Sequence, residues 1–103
     1  LGILGGGQLA RMSAQAAQRM GLTVLVLDPS EDACAAGVTD SLVGRLDDPA
    51  AIAALFGECQ RATFENEFVP ADAVEAAFEM ADFDPDDLVP SVACLRLVQD
   101  KLA

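Results

Sequence analysis

The residues with the most chemical potential lie at the start of the chain. Gly5-Gly6-Gly7 follows the apolar run Leu1 to Leu4 and precedes Gln8-Leu9-Ala10-Arg11-Met12. Glycine lets a backbone turn sharply and approach a ligand closely. A helix starting at that point presents unpaired N–H groups and a partial positive charge to an anion. Gly5, Gly7 and Ala10 satisfy G-x-G-x-x-A, one form of the dinucleotide fingerprint. Asp28 lies 18 residues after Ala10, where a protein that binds NAD places the acid that holds a ribose. Residues 1 to 27 contain no acid and two bases, Arg11 and Arg19. A polyanionic ligand is therefore expected near this end, in a field strengthened by the missing acids. The alternative is that the glycines only make a tight strand-to-helix turn.

A second cluster is Thr63-Phe64-Glu65-Asn66-Glu67-Phe68-Val69-Pro70. Two carboxylates one residue apart point to the same side of a continuing strand. At the carboxyl end of a central strand they would face the ligand crevice of an α/β sheet, able to accept hydrogen bonds from ribose hydroxyls or an amine. A solvated strand end explains the pair equally well. The acidic stretch from Asp82 to Asp87 lacks the central glycine and closing glutamate of a calcium loop, and reads as solvated. Cys34, Cys59 and Cys94 fit no common zinc spacing, and there is no histidine to join them. They read as reduced, buried cysteines of a cytoplasmic protein.

The elements that must position these residues alternate. Residues 1 to 4 read as a buried strand and residues 8 to 20 as a helix, with Leu9, Met12, Ala16 and Met20 on its apolar face and Gly21 as its stop. Leu22 to Leu27 forms a second buried strand ending at Asp28-Pro29. The resulting βαβ crossover makes the two strands parallel and right-handed. A turn or short helix around Asp32 to Ala36 precedes a short strand at Asp40 to Gly44. Asp47-Asp48-Pro49 starts a helix with Ile52, Leu55, Phe56 and Cys59 on one face. Ala62 to Phe64 leads a fourth strand. Pro70 opens a helix burying Ala71, Val74, Phe78 and Ala81. Leu88-Val89 suggests a fifth strand, and Ser91 caps a last helix with Leu95, Val98 and Leu102 on one face. The alternation predicts an open, parallel, doubly wound α/β sheet.

Composition sets the outer limits. The 103 residues make one domain, with 17 acids against 6 bases and a formal charge of -11. So acidic a surface argues against nucleic acid and anionic membrane as partners. No apolar run approaches the ~20 residues of a membrane span. The opening Leu-Gly-Ile-Leu lacks the basic region of a signal peptide, and it starts inside a strand, so a residue or more is expected to precede it.

The string Ile3-Leu4-Gly5-Gly6-Gly7-Gln8-Leu9-Ala10-Arg11-Met12 resembles the opening motif of N5-carboxyaminoimidazole ribonucleotide synthases. The resemblance continues through Asp28-Pro29, Phe64-Glu65-x-Glu67, Pro90-Ser91 and Leu95-Arg96-Leu97-Val98-Gln99-Asp100-Lys101, and so runs the length of the chain. It implies a Rossmann-like pre-ATP-grasp domain over residues 1–90, with residues 91–103 leading toward an ATP-grasp domain. The implied enzyme carboxylates the amino group of 5-aminoimidazole ribonucleotide in purine biosynthesis, using ATP, Mg²⁺ and bicarbonate. Bicarbonate is first activated as carboxyphosphate. The resemblance places Gly6, Gly7, Gln8, Leu9 and Glu65 beside the ribonucleotide and Lys101 near the ATP phosphates. The family commonly reads Glu-x-Glu-Asn or Glu-x-Glu-His here, whereas Phe68 follows Glu67. Glu65 therefore carries over and the roles of Asn66 and Glu67 do not. The same resemblance implies a homodimer for the full-length enzyme and an inactive isolated domain. The reading opposed to it is a small NAD-binding module built on the glycine turn and Asp28.

Overall fold

A computed structural model describes residues 1–65 and 69–102, with side chains as far as Leu97. Four short strands, β1 (Gly2–Leu4), β2 (Leu25–Asp28), β3 (Asp40–Val43) and β4 (Ala62–Phe64), form one parallel sheet in the order β3-β2-β1-β4. The chain runs outward from β1 through β2 to β3, then returns to place β4 on the other side of β1. The order therefore reverses between β1 and β4, which makes the carboxyl ends of those two strands the switch point where open α/β sheets bind ligands. Leu88 extends the sheet past β4 by a single parallel bridge to Ala62, so the expected fifth strand is one residue pair long.

The faces of the sheet follow from the two-residue strand period. Ile3 and Val26 point to one side, where α1 (Gln8–Arg19) and a 3-10 turn at Cys34–Gly37 cover them with Ala10, Ala14, Ala17 and Ala35. Leu4 and Leu27 point to the other side, beneath α2 (Pro49–Phe56), α3 (Ala71–Ala81) and α4 (Val92–Leu102). On that side Phe56, Phe78 and Phe83 stack, with Phe56 and Phe83 centroids 4.4 Å apart. Leu95 of α4 is buried in the same cluster. Arg96 reaches from α4 to Asp72 and Glu75 of α3 at 2.8 and 2.9 Å.

Local signals explain where the helices begin and end. Asp48 accepts from the Ala50 amide at 3.0 Å and Pro49 takes the first helical position, so α2 starts as expected. The Ser91 hydroxyl accepts from the Cys94 amide at 3.2 Å at the start of α4. Gly21 closes α1 at φ +85°, its amide donating to Gln18 and that of Leu22 donating to Ala17. That paired pattern is a Schellman motif. It draws Leu22 into the helix cap, which is why β2 begins at Leu25 rather than Leu22.

Two expectations fail for packing reasons. Leu9, Met12, Ala16 and Met20 lie on the exposed side of α1, and the buried side is Ala10, Ala14 and Ala17. Both sets repeat at three and four residues. The helix rises directly from a tight turn off β1, so it lies close to the sheet and only small side chains fit beneath it. The cysteines are free but not buried: Cys34 and Cys59 are half-buried and Cys94 is exposed. Among the described residues no helix is long and apolar enough to cross a membrane.

Candidate functional site

The glycine turn sits at the switch point, and its three amides are already taken by protein acceptors. The Gly5 amide donates to the Leu27 carbonyl at 2.8 Å. The Gly6 amide donates to Asp28 Oδ2 at 2.9 Å, and the Gly7 amide donates to Glu65 Oε2 at 2.8 Å. Asp28 stands at the end of β2 and Glu65 just past the end of β4, so carboxylates from both neighbouring strands close on the turn that follows β1. The other oxygen of Asp28 accepts from the Ser30 amide at 2.9 Å. Asp28 thus clamps the backbone around the turn through both of its oxygens.

The glycines are glycines for this reason. Gly5 has φ +99°, in the left-handed region that disfavours a side chain, and an added Cβ there would lie 2.7 Å from Glu65 Oε2. A Cβ at Gly6 would stand 3.2 Å from that of Asp28. A Cβ at Gly7 would fall onto the Glu65 carboxylate itself. The close partner of the turn is therefore the protein's own pair of acids. The expectation of an unusually positive field here is corrected: the acid-free N-terminal segment receives its acids from β2 and from the end of β4.

What faces outward is a mixed set of donors and acceptors. Among the described residues nothing accepts from the backbone amides of Gln8 and Leu9, the first of α1. The Gln8 side chain is exposed, and its carbonyl accepts from the Cys34 thiol at 3.2 Å. Glu65 is half-buried and keeps lone pairs beyond the one bound by Gly7. Acceptors beside free donors suit a polyhydroxylated ligand such as a ribose better than a bare polyanion. Gly6, Gly7, Gln8, Leu9 and Glu65 are thus brought together, as the sequence expected. Asn66 and Glu67, and the Lys101 side chain, lie outside the described residues.

The sequence reading missed one further feature. Pro29, Arg45, Leu46, Asp47 and Pro70 line an open cavity of about 590 Å³. Its lining residues follow the ends of β2 and β3 and precede α3. Arg45 Nε and Nη2 donate to the two oxygens of Asp47 at 2.9 and 2.7 Å. That fork-to-fork contact holds the Asp47 carboxyl below the usual aspartate range and raises the Arg45 guanidinium further. The only signal in the sequence was a lone base two residues beyond a short strand and just before the helix cap.

Comparison with known proteins decides the family. The ribonucleotide synthetase preATP-grasp domain model matches residues 1–99. The chain belongs to that family. This preATP-grasp domain is 36% identical over 103 residues to the N5-carboxyaminoimidazole ribonucleotide synthase of Staphylococcus aureus strain COL, covering 99% of this chain and 26% of the relative. The N5-carboxyaminoimidazole ribonucleotide synthetase of Thermus thermophilus matches at 39% identity with a TM-score of 0.84, over 98% of this chain and 27% of that one. An Aspergillus clavatus N5-carboxyaminoimidazole synthase, solved with ADP and 5-aminoimidazole ribonucleotide, matches at 30% identity and TM-score 0.83, over 98% and 26%. The preATP-grasp domain thus spans about a quarter of the length of the curated synthases it matches, and it shares with the solved ones the parallel sheet flanked by helices.

Proposed function

We propose that this domain holds 5-aminoimidazole ribonucleotide within an ATP-dependent ligase that carboxylates the substrate's amino group with bicarbonate, in purine biosynthesis. The observation that carries this reading is the paired grip of Asp28 and Glu65 on the Gly6 and Gly7 amides at the switch point, in a chain of this family. Asp28 and Glu65 fix the turn. The turn in turn aims the Gln8 and Leu9 amides outward. The spare lone pairs of Glu65 accept from ribose hydroxyls, and the free amides of α1 donate to the ligand's oxygens. The proposed reaction would use ATP and Mg²⁺. Among the described residues no group of three or more Asp, Glu, His or Cys is arranged to hold a metal ion, so no step through Mg²⁺ is assigned to this chain. Lys101, in the last turns of α4, is the residue proposed to reach toward ATP phosphates. Activity is assigned to the longer protein and ligand positioning to this domain.

The test has two parts. Titrating 5-aminoimidazole ribonucleotide into the isotope-labelled chain is expected to move the amide signals of Gly6, Gly7, Gln8 and Leu9, and Glu65→Ala is expected to weaken that binding. Micromolar binding of NADH instead would reinstate the dinucleotide reading. The isolated chain, given ATP, bicarbonate and the ribonucleotide, is expected to release no ADP. Turnover by these 103 residues alone would show that the catalytic residues lie within them.

A further inference from the structure

We infer that Glu65 is a specificity-determining residue: its carboxylate fills the seat that a ligand phosphate would take on the glycine turn, so the turn accepts hydroxyl groups and excludes phosphates. The inference goes beyond the proposed function and does not rest on it, since it names the class of ligand that the turn rejects. Three observations support it.

The first is an occupied donor. A phosphate at a strand-to-helix turn is held by the backbone amides that open the helix. Gly7 is the N-cap of α1, and its amide donates to Glu65 Oε2 at 2.8 Å. The carboxylate lies directly against the turn. A Cβ at Gly5 would stand 2.7 Å from Oε2, and one at Gly7 would fall onto Oε1. A phosphate reaches the Gly7 amide only by displacing Glu65.

The second is the way the fold delivers this acid. The Glu65 amide donates to the Leu4 carbonyl at 2.9 Å, one residue past the pairing of Leu4 with Phe64. The sheet itself therefore carries Glu65 to the turn. From the other neighbouring strand, the Leu27 carbonyl accepts from the Gly5 amide at 2.8 Å. The turn is thus fixed on both sides with the carboxylate in place.

The third is charge. α1 has no acid in its first turn, and residues 1 to 27 hold none at all. The positive end of the helix is matched instead by Glu65, with Asp28 on the Gly6 amide as a second negative charge. A phosphate brought to the amides of Gln8 and Leu9 would meet these like charges at close range, in a partly buried place where salt screens weakly. A hydroxyl meets the opposite situation, because a carboxylate accepts a hydrogen bond from it. The glycine spacing matches a dinucleotide fingerprint, but the anion on it belongs to the protein.

The experiment is an NMR titration of the isotope-labelled 103-residue chain with inorganic pyrophosphate, at an ionic strength held constant with sodium chloride. In the unsubstituted chain the amide signals of Gly7, Gln8 and Leu9 are expected to stay still. Glu65→Ala is expected to let all three move and to bind pyrophosphate about ten-fold more tightly or better, since it frees the seat and removes the charge. Glu65→Gln keeps an acceptor for the Gly7 amide and is expected to gain a smaller part of that affinity, from the loss of charge alone. Superposable backbone spectra away from the turn check the fold of both variants. Shifts of these amides in the unsubstituted chain as large as in Glu65→Ala would overturn the inference. So would a folded Glu65→Ala that binds pyrophosphate no better than the unsubstituted chain, or, should that variant not fold, a Glu65→Gln that gains nothing. The titration with 5-aminoimidazole ribonucleotide tests the proposed function separately, and its failure would leave the pyrophosphate result standing.

Discussion

Replacing Gly7 with alanine separates the two reasons a glycine can occupy this turn. Gly7 has φ -79° and ψ -160°, an extended conformation that alanine adopts without strain. On backbone grounds alone, Gly7→Ala should stabilise by ~0.4–1 kcal/mol, because the unfolded chain loses freedom. The added methyl, however, lands on the Glu65 carboxylate. Glu65 must leave the Gly7 amide, and a hydrogen bond to a charged group of ~1.5–3 kcal/mol is lost. Glu65 is only half-buried, so the lower part of that range applies. The net is a loss of about 1 kcal/mol, or a fall in Tm of roughly 4–8 °C for a domain of this size. In a Glu65→Ala background the obstacle is gone, and the same substitution should stabilise by ~0.4–1 kcal/mol. Urea denaturation of the four proteins in this double-mutant cycle gives a coupling energy expected at ~1.5 kcal/mol or more. An effect of Gly7→Ala equal in the two backgrounds would refute the assignment of Glu65 to the turn.

Three further outcomes follow from other parts of the molecule. Phe56→Ala, at the centre of the phenylalanine stack and 2% exposed, should cost ~3–5 kcal/mol by urea denaturation; a loss under ~1 kcal/mol would mean that the stack is not the core of that face. Gly21→Ala should cost ~1 kcal/mol through its left-handed backbone alone, since a Cβ there meets nothing within 4 Å, and Gly21→Asn should recover part of it; equal losses would point to a contact instead. Burial pushes the Cys59 thiol up, so the unfolded chain ionises first: the resulting stability is fully present below the ordinary thiol value and is lost as pH rises through the folded one. Exposed Cys94 should then alkylate faster than Cys59 at neutral pH, and equal rates would contradict the burial of Cys59 against Gly2.

The elements were legible in the sequence because their signals are local. Gly21, Asp48-Pro49 and Ser91 each act on amides within a few residues of themselves, so helix limits could be placed from types and spacing. The apolar runs and the glycine turn likewise fixed a βαβ start and an open parallel sheet. The string from Gly5 to Met12, with Asp28-Pro29, Glu65 and the stretch ending at Lys101, was enough to point to the family, since motif identity does not depend on knowing the packing.

What only the tertiary structure decided depends on contacts across many residues. Periodicity alone cannot choose between two apolar faces of α1 with the same spacing; the close approach of that helix to the sheet selects the alanines and turns Leu9, Met12 and Met20 outward. The charge near the glycine turn depends on which strands lie beside β1, and the order β3-β2-β1-β4 brings Asp28 and Glu65 to it across 22 and 58 residues. The cavity at Arg45 needs Pro29, the loop after β3 and the start of α3 to meet. Sequence supplied the residues of the candidate site, and strand order determined which of them close on the glycine turn.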